Sequence, residues 1–144
     1  MLTPRQVFDR TVDAFNSGQI DTALSMTSPD VELTAPGGLD FKGLAGMRQW
    51  FDLWSDACPD RRVKYHNVLV QGDQLIGEGT FTGTHTGPLH LPTGDVPPTG
   101  RKLAADYVAV FHFAGEKITY MRHYMDLMGV MAQLGLLPAP EKVG

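Results

Sequence analysis

The sequence predicts an α+β domain, in which helices are segregated to one face of a mostly antiparallel sheet. Two observations predict this class. Helical patterns of apolar residues dominate the N-terminal part, and four long stretches of β-type sequence follow, separated by turn residues. The chain has 144 residues, which is the length of one domain, and no repeat or linker divides it. We therefore expect a single domain over residues 1–137 and a flexible tail over residues 138–144.

Two helices are predicted at the start of the chain. Thr3 is a suitable N-cap, Pro4 suits the first helical position, and Gln6 completes a capping box. Five residues at helical spacing form one stripe of this helix: Val7, Phe8, Thr11, Val12 and Phe15. A short second helix is expected to begin near Asp21.

Two more helices are predicted further on. One carries two tryptophans on its apolar face and is ended by Cys58-Pro59. Its apolar residues recur at three- and four-residue steps: Leu44, Met47, Trp50, Phe51 and Trp54. The last helix runs from about Leu127 to Leu134, and Gly135 and Pro138 supply its stop.

Alternation and turn residues predict five strands. A short strand with Val31, Leu33 and Ala35 facing one way enters the glycine pair Gly37-Gly38. The long strands are expected near residues 62–71, 74–85, 103–113 and 117–125. A loop rich in Gly and Pro from about Thr86 to Arg101 is typical of a lid or a pocket rim. The strand glycines Gly77, Gly79 and Gly83 are expected to bend the sheet.

The last two strands are predicted to form a hairpin, and its register brings candidate site residues together. If Ala114 pairs with Ile118 around a three-residue loop, Ala109 lies opposite His123. The same register sets Tyr107 opposite Met125 and Phe111 opposite Met121. Directly opposed side chains have Cβ atoms about 4.5–5.5 Å apart, so His123 would lie in an apolar wall within reach of the Tyr107 hydroxyl.

Strand parity adds a second histidine to this prediction. His85 shares a face with Phe81 and Gly83. If that face is concave, two histidines and one tyrosine line an otherwise apolar cavity that binds a hydrophobic small molecule.

The strand at 103–113 is apolar on both faces, with Val108 and Val110 on the face away from Tyr107. Helices can cover only one face of a sheet. We therefore expect the other face to meet a second copy of the chain in a homodimer.

Charge and cysteine content exclude several classes of partner. The net charge is −4, and the largest basic cluster is Arg61-Arg62, which argues against nucleic-acid and anionic-membrane partners. The single Cys58 suits a reducing cytoplasm, and neither a signal sequence nor a membrane-spanning run is predicted, so we expect a cytoplasmic protein. His85 and His90 lack a further ligand at suitable spacing, so no metal site is predicted.

Several short motifs together resemble the SnoaL-like polyketide cyclases. Their positions in the chain are Ala14–Gly18, Ser28–Asp30, Gly83–Gly87, Val96–Lys102, Phe113–Ile118, Asp126–Gly129 and Gln133–Gly135. The resemblance covers nearly the whole chain, in order and at similar spacing. It implies a cone-shaped α+β barrel of the nuclear transport factor 2-like superfamily, usually dimeric. It also implies intramolecular aldol condensation of an aromatic polyketide, without metal or cofactor, with an acidic side chain moving the proton.

The polar residues implied by the resemblance are largely replaced. His123 stands where the characterised cyclases have their acid/base aspartate. Ala109 and Tyr107 stand in place of a pocket histidine and glutamine, and Leu33 in place of a pocket asparagine. His85 matches the second pocket histidine.

The candidate chemistry follows from these residues. Apolar burial keeps an imidazole neutral, so His123 is a candidate general base for a proton α to a carbonyl. Asp126 would orient it, and Tyr107 or His85 would polarise the substrate oxygen. The candidate substrate-binding residues are Tyr107, Leu33, Trp50, Trp54, Ala109, Phe111, Met121 and Met125.

Each role has a plainer alternative. His123 and His85 would then be hydrogen-bonded core residues, Asp126 the N-cap of the last helix, and Trp50 and Trp54 core. Two functions therefore stay open: a cofactor-free acid/base enzyme (cyclase, isomerase or lyase), or a non-catalytic protein that binds a hydrophobic ligand.

Overall fold

A computed structural model describes residues 1–91 and 93–137 of the chain. The predicted tail 138–144, and with it Pro138, lies outside these residues. The elements follow in chain order: α1 (Pro4–Asn16), α2 (Ile20–Ser25), β1 (Thr27–Ala35), β2 (Leu39–Lys42), α3 (Gly43–Ala57), β3 (Arg62–Gln71), β4 (Gln74–Thr84), β5 (Leu89–Leu91), β6 (Gly94–Val96), β7 (Lys102–Ala114), β8 (Lys117–Met125) and α4 (Leu127–Gln133).

The predicted α+β class is confirmed. Six strands form one curved sheet in the order β2-β1-β8-β7-β4-β3, and its helices lie on one face. All pairs in this sheet are antiparallel except β1 with β8. The predicted capping box of α1 is also confirmed: Gln6 N donates to Thr3 Oγ1, and Thr3 N donates to Gln6 Oε1.

Three short strands were not predicted from the sequence. β2 follows β1 as an antiparallel neighbour, and β5 and β6 form a separate two-stranded hairpin within the loop predicted at 86–101. Strands of three or four residues are too short to show a clear alternation, so only their hydrogen-bonded partners identify them.

The predicted turn between β7 and β8 is wrong, although the register beyond it is confirmed. Ala114 pairs with Lys117 rather than with Ile118, so the loop has two residues instead of three. Thr119 is then an extra residue on β8, because the register shifts between His112 and Phe113. Such a bulge restores the pairing that a three-residue loop would produce.

The register beyond this bulge sets the inner face of the sheet. Ala109 faces His123, Tyr107 faces Met125 and Phe111 faces Met121, as predicted. Alternate residues of β7 are buried, from Leu103 to Phe113, in the core that this face shares with α1, α3 and α4.

The outer face of the sheet carries apolar side chains that no described part of the chain covers fully. Val108 and Val110 are half-buried, while Ile76 and Tyr124 are exposed. Ile76 pairs with Val110 and Tyr124 with Val108, so the four residues form one continuous patch.

Within the described residues, no helix has the length and apolarity needed to cross a membrane.

Candidate functional site

A largely apolar hollow lies between α1, α3 and the inner face of the sheet. Among its lining residues, hydroxyl or imidazole groups come from Thr11, Tyr65, Tyr107 and His123. Thr11 Oγ1 donates to the carbonyl oxygen of Val7 at 2.8 Å. The remaining three are therefore the polar groups best placed to meet a ligand.

His123 lies on β8 among aromatic rings and is 9 % exposed. The centre of its ring is 5.1 Å from that of Trp50, 5.5 Å from that of Tyr107 and 6.3 Å from that of Phe111. Its Nδ1 atom is buried and has no hydrogen-bond partner in the described chain. Burial lowers the pKa of His123 to about 4. The imidazole is therefore neutral at pH 7 and can accept a proton.

Tyr107 and Tyr65 form the second polar element of the hollow. Their ring centres are 5.6 Å apart, with the rings nearly perpendicular. Burial raises the pKa of both hydroxyls well above the ordinary value. Both phenols therefore keep their protons at neutral pH and can donate a hydrogen bond.

Tyr65 was missed by the sequence analysis. A signal was present in the strand glycines, which were interpreted only as bends. A Cβ atom at Gly77 would lie 2.7 Å from Tyr65 Cδ1, and one at Gly79 would lie 3.0 Å from it. The two glycines leave space for an aromatic ring from the neighbouring strand.

His85 does not line the hollow, which corrects the parity prediction. β4 ends at Thr84, so the alternation of faces no longer holds at position 85. The side chain is buried under the following loop, where Nδ1 lies 2.9 Å from Thr99 Oγ1 and accepts a hydrogen bond from Thr99 N at 3.3 Å. Burial lowers the pKa of His85. The residue ties the two ends of the 86–100 loop together.

Asp126 does not orient His123, and this prediction is also corrected. Its Oδ1 accepts a hydrogen bond from Gly129 N at 2.9 Å, which makes it the N-cap of α4. The carboxyl group is exposed, and His123 Nδ1 is left without a partner. The geometry therefore matches the plainer alternative, in which Asp126 caps the last helix.

The predicted substrate-binding residues divide into two groups. Those that line the hollow are Trp50, Trp54, Tyr107, Phe111, Met121 and Met125. Leu33 and Ala109 are instead buried in the core, at 2 % and 0 % exposed, and do not line it. In the sheet, Leu33 is adjacent to Met121 and Ala109 to His123, and both of these neighbours line the hollow.

A second apolar cleft lies on the other side of the two tryptophans. It shares Trp50, Trp54 and Met125 with the first hollow. Leu89, Leu91 and Thr93 line it from the loop that was predicted to be a lid or rim.

Among residues 1–91 and 93–137, no three His, Cys, Asp or Glu side chains are grouped as metal ligands would be.

Solved structures share this architecture. A SnoaL-like protein from Jannaschia sp. CCS1 superimposes with a TM-score of 0.81 at 23 % identity, covering 94 % of this chain and 93 % of its own. TsrD from Streptomyces laurentii superimposes with a TM-score of 0.77 at 24 % identity, covering 92 % and 95 %. A protein of ketosteroid isomerase-like fold from Catenulispora acidiphila reaches 0.76 at 19 % identity, covering 94 % and 96 %. At these identities the likeness establishes the fold.

Sequence comparison identifies the family. The chain is 28 % identical over 137 residues to the aklanonic acid methyl ester cyclase AcmA of Streptomyces galilaeus, covering 92 % of this chain and 90 % of that protein. The family model of SnoaL-like polyketide cyclases matches residues 5–134, which is almost the whole described fold. The chain belongs to the SnoaL-like polyketide cyclase family.

Proposed function

We propose that this protein is a cofactor-free acid/base enzyme that closes a ring in a hydrophobic, carbonyl-bearing small molecule by intramolecular aldol condensation. The observation that carries the proposal is a neutral imidazole, His123, held in an apolar hollow next to the Tyr107 ring. The similarity to a protein named as a cyclase supports the reaction class.

In the proposed reaction, His123 removes a proton from a carbon α to a carbonyl, and the electron pair of that C–H bond forms an enolate. A phenol proton from Tyr107 stabilises the enolate oxygen. The enolate carbon then attacks a second carbonyl of the same molecule, which forms the new C–C bond. The resulting alkoxide takes the proton from the imidazolium, so the histidine returns to its neutral form.

The low pKa of His123 restricts the substrate class. A pKa of about 4 makes the imidazole a weak base, and a weak base transfers protons efficiently only from acidic donors. A carbon flanked by two carbonyl groups is such a donor, because both oxygens share the enolate charge. We therefore propose a substrate with a 1,3-dicarbonyl unit and an apolar body that packs against the aromatic lining of the hollow.

A ligand-binding protein without catalysis is the second candidate function. It is favoured by the absence of a carboxylate from the described residues that line the hollow, since nothing there would stabilise an imidazolium. In that case His123 and Tyr107 would only orient a bound apolar compound.

Deuterium exchange at the methylene of ethyl benzoylacetate, followed by NMR, tests the choice. The acid/base proposal expects exchange to be accelerated by the protein and to fall on the order of 10²–10⁴-fold in His123→Asn. His112→Asn is the matched control, because His112 stacks on Tyr120 away from the hollow. Binding of the ester without any acceleration of exchange would leave the ligand-binding function.

We also propose that the chain forms a homodimer through the outer face of the sheet. The patch of Ile76, Val108, Val110 and Tyr124 is apolar and continuous, and apolar area of this kind is usually covered in a symmetric pair. Light scattering should give twice the chain mass, and Val110→Lys should give the mass of a monomer. A monomeric mass for the unchanged protein would remove the proposal.

A further inference from the structure

Thr11 is a polar residue in the apolar stripe of α1 that lines the hollow. It lies between Phe8 and Phe15 on the neighbouring turns of the helix and is 6 % exposed. A valine has a similar shape and would fill this position without burying a polar group, which is costly unless that group is hydrogen-bonded. Thr11 Oγ1 donates to the carbonyl oxygen of Val7 at 2.8 Å. The buried hydroxyl is therefore satisfied as a donor.

The direction of this hydrogen bond determines what Thr11 can offer a ligand. A hydroxyl group has one proton to donate and two lone pairs that accept. Because the carbonyl oxygen of Val7 takes the proton, the Thr11 oxygen can only accept a further hydrogen bond. The phenols of Tyr65 and Tyr107, in contrast, have protons to donate. Thr11 therefore favours a ligand group that donates and disfavours one that only accepts.

Thr11 and His123 lie on different walls of the hollow. α1 packs on β3 and β4, whereas His123 is on β8, which is separated from β4 by β7. Two strand spacings amount to about 10 Å. A benzene ring with a carbonyl substituent on one side and a hydroxyl group on another can span such a distance, so one ligand can contact both residues.

We propose that Thr11 is a specificity-determining residue, which accepts a hydrogen bond from a hydroxyl group on the ring of the substrate. The 1,3-dicarbonyl unit then lies at His123 and the ring hydroxyl at Thr11. The inference rests on the proposed function, because the position of the dicarbonyl unit decides which end of the substrate meets α1. A threonine that only packs in the wall would not distinguish a ring with a hydroxyl group from one without it.

Calorimetric titration with substituted ethyl benzoylacetates tests this role. The set contains the unsubstituted ester, its 3- and 4-hydroxy derivatives and the two matching methoxy derivatives, in which the ring oxygen accepts but cannot donate. The readout is the affinity of each derivative divided by that of the unsubstituted ester in the same protein, so that a general change in the hollow cancels. In the unchanged protein, the better hydroxy derivative should bind about fivefold to tenfold more tightly than the unsubstituted ester. Its methoxy counterpart should bind more weakly.

Three variants separate the oxygen of Thr11 from its packing. Thr11→Val should remove the preference for the hydroxy derivative, because valine keeps the shape and lacks the oxygen. Thr11→Ser should keep the preference, since a serine hydroxyl can also donate to the Val7 carbonyl and accept from the ligand. Thr27→Val is the matched control and should keep it too. Thr27 is likewise buried and donates to a carbonyl four residues earlier, that of Ala23 at 3.1 Å, but it does not line the hollow.

The contrary outcomes distinguish this inference from the proposed function. An equal preference in the unchanged protein and in Thr11→Val overturns the role of Thr11, and so does a hydroxy derivative that binds no more tightly than the unsubstituted ester. Both results leave the proposed function in place when His123→Asn slows deuterium exchange. A preference lost in Thr11→Val, with exchange unchanged in His123→Asn, overturns the enzyme and keeps Thr11 as a contact in a ligand-binding protein. Failure of the unchanged protein to bind any of the esters counts against both.

Discussion

The ring of Tyr65 occupies the space that a side chain at Gly77 would need. A Cβ atom at Gly77 would approach Tyr65 Cδ1 to 2.7 Å and Cε1 to 2.8 Å, distances at which one of the two residues must move. A residue type on β4 thus determines which side chain of β3 can enter the hollow. The glycine matters here for its lack of a side chain, not for its backbone freedom.

This contact predicts strong coupling between the two positions. Gly77→Ala should destabilise the protein by roughly 1–3 kcal/mol, the usual cost of overpacking a core. Urea unfolding measures the change. In a Tyr65→Ala background the same substitution should cost much less, because no ring remains to clash with the methyl group. An equal cost in both backgrounds would mean that the methyl group clashes with something else.

The stability of the protein should depend on pH through His123. Its pKa is about 4 in the folded chain and about 6.5 when unfolded. Between these values the unfolded chain binds more protons than the folded one. The contribution of neutral His123 to the free energy of unfolding is therefore fully present above about pH 6.5 and is lost as the pH falls towards 4. The loss from this residue should be roughly 3 kcal/mol.

Urea unfolding at pH 7 and at pH 4 checks this prediction when the protein is compared with His123→Asn. Carboxylates titrate equally in both proteins, so the difference between their pH dependences isolates the imidazole. His85 also has a lowered pKa and acts in the same direction, but it is present in both. Parallel pH dependences would show that His123 is not buried as described.

Asp126 should affect the last helix and not the chemistry. Asp126→Ala removes an N-cap hydrogen bond to Gly129 N and should cost about 0.5–2 kcal/mol, whereas Asp126→Asn should be close to neutral because asparagine caps as well. Thermal unfolding compares the three proteins. Methylene exchange of ethyl benzoylacetate should keep its pH dependence in both variants, and a changed pH profile in Asp126→Asn would restore a role beside His123.

His85 should control the loop that carries β5 and β6. His85→Ala removes the acceptor for Thr99 N and leaves a cavity under the loop, so cleavage between residues 86 and 100 by a broad-specificity protease should become faster. Thr99→Val tests the same contact from its other side and should give a smaller effect, since the backbone N–H remains. Binding of ethyl benzoylacetate should be unaffected in both, because His85 lies outside the hollow.

Much of the fold was predictable because the signals are local. The turn residues that predict strands near 62–71 and 117–125 are adjacent to them in the chain, and the observed strands have the same bounds. The capping box of Thr3 and Gln6 is likewise decided within one turn of helix. The opposition of Ala109 and His123 was also predicted, but it holds only because the unpredicted bulge at Thr119 offsets the error in the predicted turn length.

The amino-acid sequence by itself therefore determined the fold class, the family resemblance and the presence of a histidine and a tyrosine on one inner face. Only the tertiary structure decided that His85 and Asp126 bind the backbone away from the hollow, and that Tyr65 enters it. The physical reason is the separation along the chain between the residues that interact. Spacing along the chain specifies which face a residue takes, but the partner of a polar side chain depends on strands and loops brought close by long-range packing.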